Sequence, residues 1–218
     1  MKSKLLLIIL TAILYWVFQN YVPYGAYITL PVNLFVTFLH ELGHAFFALV
    51  TGGSVHEVMI QSNGAGYAVT SGGIRPLILM GGYIGSALFG NLLLHIGLNK
   101  PKTSIITLYV IIAILLFTAI WWFSSIFTSV LLIVFSTLAF WLSKKSKANV
   151  SNLLIILGTA SIIYIIMDYN TGPASDLAKF TEIIPLLPQA IWAIIWLAIV
   201  VYITWKNLQY SFRLKSKV

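Results

Sequence analysis

The sequence predicts an all-α polytopic membrane protein, with about seven transmembrane helices and a small membrane-surface β-hairpin after the second. Composition is the first reason. Of the 218 residues, 60% are hydrophobic and only 8% are charged, whereas soluble domains carry about 25% charged residues. A water-soluble globule and a disordered chain are therefore excluded. The expected location is a bilayer, as an integral multi-pass protein.

The apolar stretches are the second reason for this fold class. A transmembrane helix needs about 20 predominantly apolar residues, and the stretches that meet this requirement are 5–21, 32–50, 77–97, 103–122, 125–142, 151–168 and 188–205. The first resembles a signal peptide, but no small-residue cleavage site follows it, so we expect it to be retained. We expect one integral membrane domain, 1–218, with an N-terminal span and loop (1–31), a core (32–205) and a basic tail (206–218).

The third reason is the placement of the few charges. The net charge is +8, but the bases stand singly or in short groups beside apolar stretches, as in loops that flank membrane spans. The absence of cysteine excludes disulfides and thiolate metal sites. The acids are Glu41, Glu57, Asp168, Asp176 and Glu182. An acid inside a span is costly in lipid and therefore indicates a function.

Residues 51–76 differ in composition from the spans around them. Glycines bracket two runs of β-forming residues, Val55–Gln61 and Tyr67–Thr70, and a glycine-rich turn separates the runs. This pattern predicts a β-hairpin, although a plain connector between two spans is an equal alternative. A second loop, 169–187, is too polar to be a span and too short to be a domain. The glycines of the third span, at positions 81, 82, 85 and 90, are expected to let it pack closely against the second.

The second predicted span contains the motif His40-Glu41-Leu42-Gly43-His44. Positions i and i+4 share one helix face, so the two imidazoles can occupy adjacent corners of a tetrahedral zinc site. Glu41 can then reach a metal-bound water as general base. Zinc lowers the pKa of such a water to about 7 and makes it a nucleophile at neutral pH. The alternative is a hydrogen-bonded polar cluster that joins helices.

A hydrolytic zinc site usually has three protein ligands, so a third ligand must come from elsewhere in the chain. Strict alternation of the spans gives the second and sixth spans the same direction. Asp168, Asp176, Glu57 and Glu182 then all lie on the side where the motif's span ends. Alternation alone does not choose among these four acids.

Three stretches of the chain resemble the site-2-protease class of intramembrane zinc metalloproteases, and more closely its small single-domain branch. They are the motif His40–His44 with the nine residues after it, the glycine-rich hairpin followed by Gly81–Gly90, and the segment Ser175–Glu182. The resemblance implies His40 and His44 as zinc ligands, Glu41 as general base and an aspartate as third ligand. We expect that aspartate to be Asp176, with Asp168 as the second choice. An N-cap at the start of a short helix is the structural alternative for Asp176.

The chain departs from this class in two places. The wider class has Leu-Asp-Gly around its ligand aspartate and Gly-Pro-x-x-Asn in the span after the hairpin. The tripeptide is absent here, and Gly82-Tyr83-Ile84-Gly85-Ser86 stands in the comparable place. No asparagine is therefore available there to hold a substrate or to stabilise an oxyanion.

The expected function is hydrolysis of peptide bonds in membrane-embedded substrates by zinc-activated water, with one Zn²⁺ per chain. The expected partners are a transmembrane protein substrate and the lipid bilayer, and not nucleic acid; the oligomeric state is open. Two alternatives are a catalytically silent relative that binds membrane proteins and a metal-dependent transporter.

The membrane face of the site is open as well. Alternation puts four bases on the motif's side, Lys2, Lys4, Arg75 and Lys179, and leaves nine on the other. The positive-inside rule then favours a site away from the cytoplasm. The resemblance implies the opposite, since the class usually cuts near the cytoplasmic side.

Overall fold

The computed structural model describes residues 2–167 and 171–213, and most of this part of the chain is helical. The long helices are α1 (Lys2–Asn20), α2 (Gly25–Val50), α3 (Arg75–Asn99), α4 (Pro101–Trp121), α5 (Ile126–Ser143), α6 (Lys147–Met167) and α8 (Gln189–Arg213). A short helix, α7 (Asp176–Ile183), precedes α8. Each of the seven long helices is long and apolar enough to cross a membrane, which confirms the predicted spans.

Two helix ends differ clearly from the sequence prediction. α2 begins at Gly25 and continues through Pro31, where the prediction began the span at residue 32. A proline inside a membrane helix is tolerated when neighbouring groups satisfy the backbone. α8 continues to Arg213, so the first part of the expected basic tail is helical. The rest of that tail, 214–218, lies outside the described residues.

The predicted hairpin is confirmed as a two-stranded antiparallel sheet between α2 and α3. β1 (Ser54–Ile60) pairs with β2 (Gly66–Ser71). The hydroxyl of Thr37 in α2 donates a 2.7 Å hydrogen bond to the carbonyl of Gly64 at the hairpin tip. Thr37 lies about 20 Å before Val50 along the helix, at 1.5 Å per residue. The hairpin therefore folds back along α2, and its tip reaches into the helical assembly.

The outer edge of β1 is covered by the connection between α4 and α5. The N–H of Val58 donates to the carbonyl of Trp122 at 3.1 Å, and the hydroxyl of Ser124 donates to the carbonyl of Val58 at 2.7 Å. Thr128, in the first turn of α5, bonds both the N–H and the carbonyl of Ile60 at 3.1 Å. These bonds satisfy the buried backbone of β1.

One end of the bundle carries the hairpin, the α4–α5 connection and α7, and we call it the hairpin end. Lys4, near the start of α1, lies at the opposite end, because its ammonium donates to the carbonyls of Gly97 and Leu98 at 2.7 and 3.1 Å, in the last turns of α3. The expectation that Lys4 lies on the motif's side is therefore wrong. It assumed strict alternation of spans, whereas Leu7 and Ile8 of α1 pack on the cluster that contains Leu98.

Glycines bring α3 into close contact with two neighbouring helices. A Cβ at Gly85 would lie 3.1 Å from the Cα of Gly43 in α2, so the expected approach of these two spans is confirmed. A Cβ at Gly90 would instead lie 3.2 Å from the carbonyl oxygen of Gly158 in α6. The expectation that Gly90 packs against the second span is wrong, because Gly90 faces α6, while the neighbouring Phe89 contacts Phe46 of α2.

Candidate metal centre

The two histidines of the motif lie one turn apart on α2 and meet a carboxylate from α7. Their Nε2 atoms are 3.2 Å apart. The Oδ2 atom of Asp176 lies 3.1 Å from the Nε2 of His40 and 3.1 Å from the Nε2 of His44. Three potential ligand atoms, two from one turn of α2 and one from the start of α7, thus converge on one point.

The orientation of His44 is fixed by the backbone of α3. Its Nδ1 lies 2.7 Å from the carbonyl oxygen of Ile78. A carbonyl oxygen only accepts hydrogen bonds, so Nδ1 carries the hydrogen, and the Nε2 of the neutral ring presents a lone pair. Metal-bound histidines usually donate their other N–H in this way.

Asp176 is held in place by the start and by the buried face of α7. The helix is capped by Ser175, whose hydroxyl accepts the N–H of Ala178 at 3.1 Å. The alternative in which Asp176 itself caps the helix is therefore wrong, and its carboxylate is free to face the histidines. Phe180 lies edge-on to Trp192 and Trp196 of α8, with ring centroids 5.0 and 5.1 Å apart, and this contact docks α7.

The electrostatic environment keeps Asp176 ionised. Burial raises the pKa of its carboxyl, but the contacts with the imidazoles of His40 and His44 outweigh burial and hold that pKa well below the usual range. An ionised carboxylate is the form that binds a metal ion.

These residues fit a bound metal ion. Two imidazole nitrogens and a carboxylate oxygen are all electron-pair donors, so their convergence requires a shared cation between them, a metal ion or a proton. A Cβ at Gly82 would lie 2.5 Å from the Nε2 of both His40 and His44, so any side chain other than that of glycine would overlap the two imidazoles. Gly82 belongs to a π-helical turn, Gly81–Gly85, and such turns are frequent at functional sites.

Glu41 lies in the same cavity as the three converging atoms. The cavity has a volume of about 490 Å³ and is lined by all four residues, His40, Glu41, His44 and Asp176. The Glu41 side chain is only 4% exposed, and none of the described residues forms a hydrogen bond with its carboxylate. The carboxylate therefore faces the cavity and not a hydrogen-bonding side chain, and an acid in this position inside a membrane span indicates a functional group.

The free edge of β2 forms one wall of this cavity. Val58 of β1 lies opposite Ala68 of β2, and the backbone of Val58 bonds away from β2, to Trp122 and Ser124. Opposite residues in an antiparallel pair either both bond inward or both point outward, so the N–H and carbonyl of Ala68 also point outward. Ala68 lines the cavity together with Gly66 and Thr70.

Comparison with protein families gives one match. A family model described as Peptidase M50B-like matches residues 6–207, most of the chain. The chain belongs to this family. The predicted resemblance to site-2 proteases is thereby confirmed, and family membership supports a membrane-embedded metallopeptidase. Neither the curated proteins nor the solved structures contain a match.

In this Peptidase M50B-like chain the structure brings together all the predicted site residues that it describes. His40, His44 and Asp176 form a cluster able to hold a metal ion, and Glu41 lies beside it. Asp168 lies outside the described residues.

The other two acids that alternation allowed are not part of the cluster. Glu57 belongs to β1, and Glu182 is exposed near the end of α7. Neither contributes to the group of converging ligand atoms in the described part of the chain.

Sequence reasoning missed the supporting roles of Ile78, Gly82 and Tyr83. Ile78 acts through its backbone carbonyl, which carries no sequence signal. Gly82 was assigned only to helix packing, although its place in a glycine cluster after the motif was visible. Tyr83 lies edge-on to the ring of His40 with centroids 5.0 Å apart, and an aromatic residue in a membrane span has no distinguishing pattern.

Proposed function

We propose that this protein is an intramembrane zinc metalloprotease that hydrolyses peptide bonds of membrane-embedded substrates. The observation that carries the proposal is the convergence of His40 Nε2, His44 Nε2 and Asp176 Oδ2 within 3.2 Å of one another, beside the buried carboxylate of Glu41. We assign the two histidines and Asp176 as metal ligands and Glu41 as the catalytic residue. Two nitrogens and one oxygen are a typical ligand set of hydrolytic zinc.

A bound zinc ion would supply Lewis-acid polarisation of the scissile carbonyl and of a water molecule. The residues of the chain supply the remaining chemistry. Glu41 takes a proton from water in the cavity and gives it to the departing amide nitrogen, as a general base and then a general acid. The carbonyl of Ile78 holds His44 in position for this reaction. The docked helix α7 does the same for Asp176.

The substrate is expected to bind as an added strand. A peptide bond inside a helix is shielded, so a substrate helix must unwind before cleavage. The outward-facing backbone of β2 offers hydrogen bonds to an extended segment, and this edge lies beside Glu41: a Cβ at Gly66 would be 2.9 Å from its Oε1. The proposed partner is a transmembrane protein, and the resemblance to the small single-domain branch favours a bacterial-type plasma membrane as its location.

The variant Glu41→Gln tests the proposal. We expect it to bind zinc at the wild-type ratio, since Glu41 is not a ligand, and to lose cleavage of a co-reconstituted single-span substrate. A catalytically silent relative would show no stoichiometric zinc and no functional loss in this variant. A transporter would show metal flux into proteoliposomes that depends on His40 and His44.

A further inference from the structure

Two cations line the cavity that contains the candidate metal centre. Arg75 is the first residue of α3, and Lys179 lies one turn after Asp176 in α7. Both side chains are exposed, and both line the cavity. The other bases whose side chains are described lie at the opposite end of the bundle: Lys4, Lys100, Lys102, Lys144, Lys145, Lys147, Lys206 and Arg213.

Among the described residues neither cation forms a salt bridge, although Lys179 interacts electrostatically with Glu41. The ion pairs at the cavity join Asp176 to the two histidines. The cavity is lined by two acids, Glu41 and Asp176, and by these two bases, so its charges balance. A divalent cation on the cluster would make the cavity positive, and a positive cavity attracts an anionic group.

We propose that Arg75 and Lys179 form a subsite for an acidic residue of the substrate close to the scissile bond. The inference rests on the proposed protease function. Both bases at the hairpin end lie on the cavity, whereas bases that hold anionic lipid headgroups form larger clusters beside the spans. The anionic group recognised here is therefore a substrate carboxylate.

The length of the β2 edge limits where this acidic residue lies. Gly66, beside Glu41, and Thr70 both line the cavity. These two residues are four positions apart, about 13 Å at about 3.3 Å per residue, so an extended segment along this edge has about five residues inside the cavity. The acidic residue is therefore expected within about four residues of the bond that is cleaved.

A charge series on the substrate tests the subsite. The zinc-loaded full chain is reconstituted in phosphatidylcholine vesicles with single-span substrates that differ only in one residue near the cleavage site: Asp, Asn or Lys. We expect kcat/KM to be about fivefold higher for Asp than for Asn, the ratio of a solvent-accessible ion pair, and lowest for Lys. Arg75→Gln and Lys179→Gln should each reduce this preference. Lys144→Gln, at the opposite end, should keep it.

Equal kcat/KM for the Asp and Asn substrates, or an unchanged preference in both cavity variants, overturns the subsite. Vesicles with phosphatidylglycerol test the lipid alternative. A rate that depends on this lipid and on Arg75 and Lys179, but not on the substrate residue, assigns both bases to headgroups and also overturns it.

A binding measurement separates the subsite from the protease function. Fluorescent β-forming peptides with a central Asp or Asn are titrated onto zinc-loaded Glu41→Gln, with anisotropy as the readout. Tighter binding of the Asp peptide than of the Asn peptide supports the subsite if the difference is lost when Arg75→Gln is added to Glu41→Gln. Equal binding of the two peptides contradicts it. The absence of cleavage of any substrate by the wild type would contradict the protease function alone.

Discussion

Gly82 gives the most quantitative test of the metal centre. In Gly82→Ala the new methyl carbon would lie 2.5 Å from the Nε2 atoms of both His40 and His44. Ordinary contacts begin near 3.4 Å, so each nitrogen would have to move by about 0.9 Å to relieve the overlap. Zinc ligands tolerate about 0.2 Å of displacement. We therefore expect zinc affinity to fall by about 100-fold, the upper range for loss of ligand support.

The assay is a competition between the purified protein and a fluorescent zinc chelator in detergent, with total zinc measured after dialysis. Gly85→Ala is the matched control, because it adds the same methyl group to the same π-helical turn, where it would meet the Cα of Gly43 at 3.1 Å and not an imidazole. We expect Gly85→Ala to lower thermal stability and to keep most of its zinc affinity. Wild-type zinc affinity in Gly82→Ala would refute the placement of the ion between these nitrogens.

Two further substitutions test the third ligand and the substrate edge. Asp176→Asn keeps the shape of the side chain and removes its charge, so we expect zinc affinity to fall by at least about 100-fold. Full zinc stoichiometry after dialysis would exclude Asp176 as a ligand. Glu182→Gln, on the same helix, is the control. Ala68→Pro removes an outward N–H that β1 does not use, so we expect unchanged zinc content and thermal stability but at least tenfold slower cleavage. Tyr67→Pro, which removes a bond within the hairpin, should lower stability instead; unchanged cleavage by Ala68→Pro would contradict binding along this edge.

The sequence was sufficient for the spans because a bilayer requires about 20 apolar residues in each helix. It was less reliable where neighbours decide the outcome. The second span was predicted to begin at residue 32, but α2 begins at Gly25 and continues through Pro31. The predicted position of Lys4 was wrong because strict alternation of spans does not account for the contact between the start of α1 and the end of α3.

The candidate site was predictable to the extent that it is local. His40, Glu41 and His44 share one stretch of helix, so their spacing alone indicated the chemistry. Asp176 was distinguished from the other acids by resemblance and not by spacing, since its approach to the histidines depends on how α7 docks on α8. The carbonyl of Ile78 and the space left by Gly82 are properties of the packed backbone, which residue types do not encode.

The most direct test of the account combines two measurements on Glu41→Gln. Zinc content is measured on the purified variant, and cleavage of a single-span substrate is measured after reconstitution beside the wild type. The account predicts one zinc per chain in both proteins and cleavage by the wild type alone. Cleavage by Glu41→Gln at the wild-type rate, or a wild-type protein that binds no zinc, would contradict it.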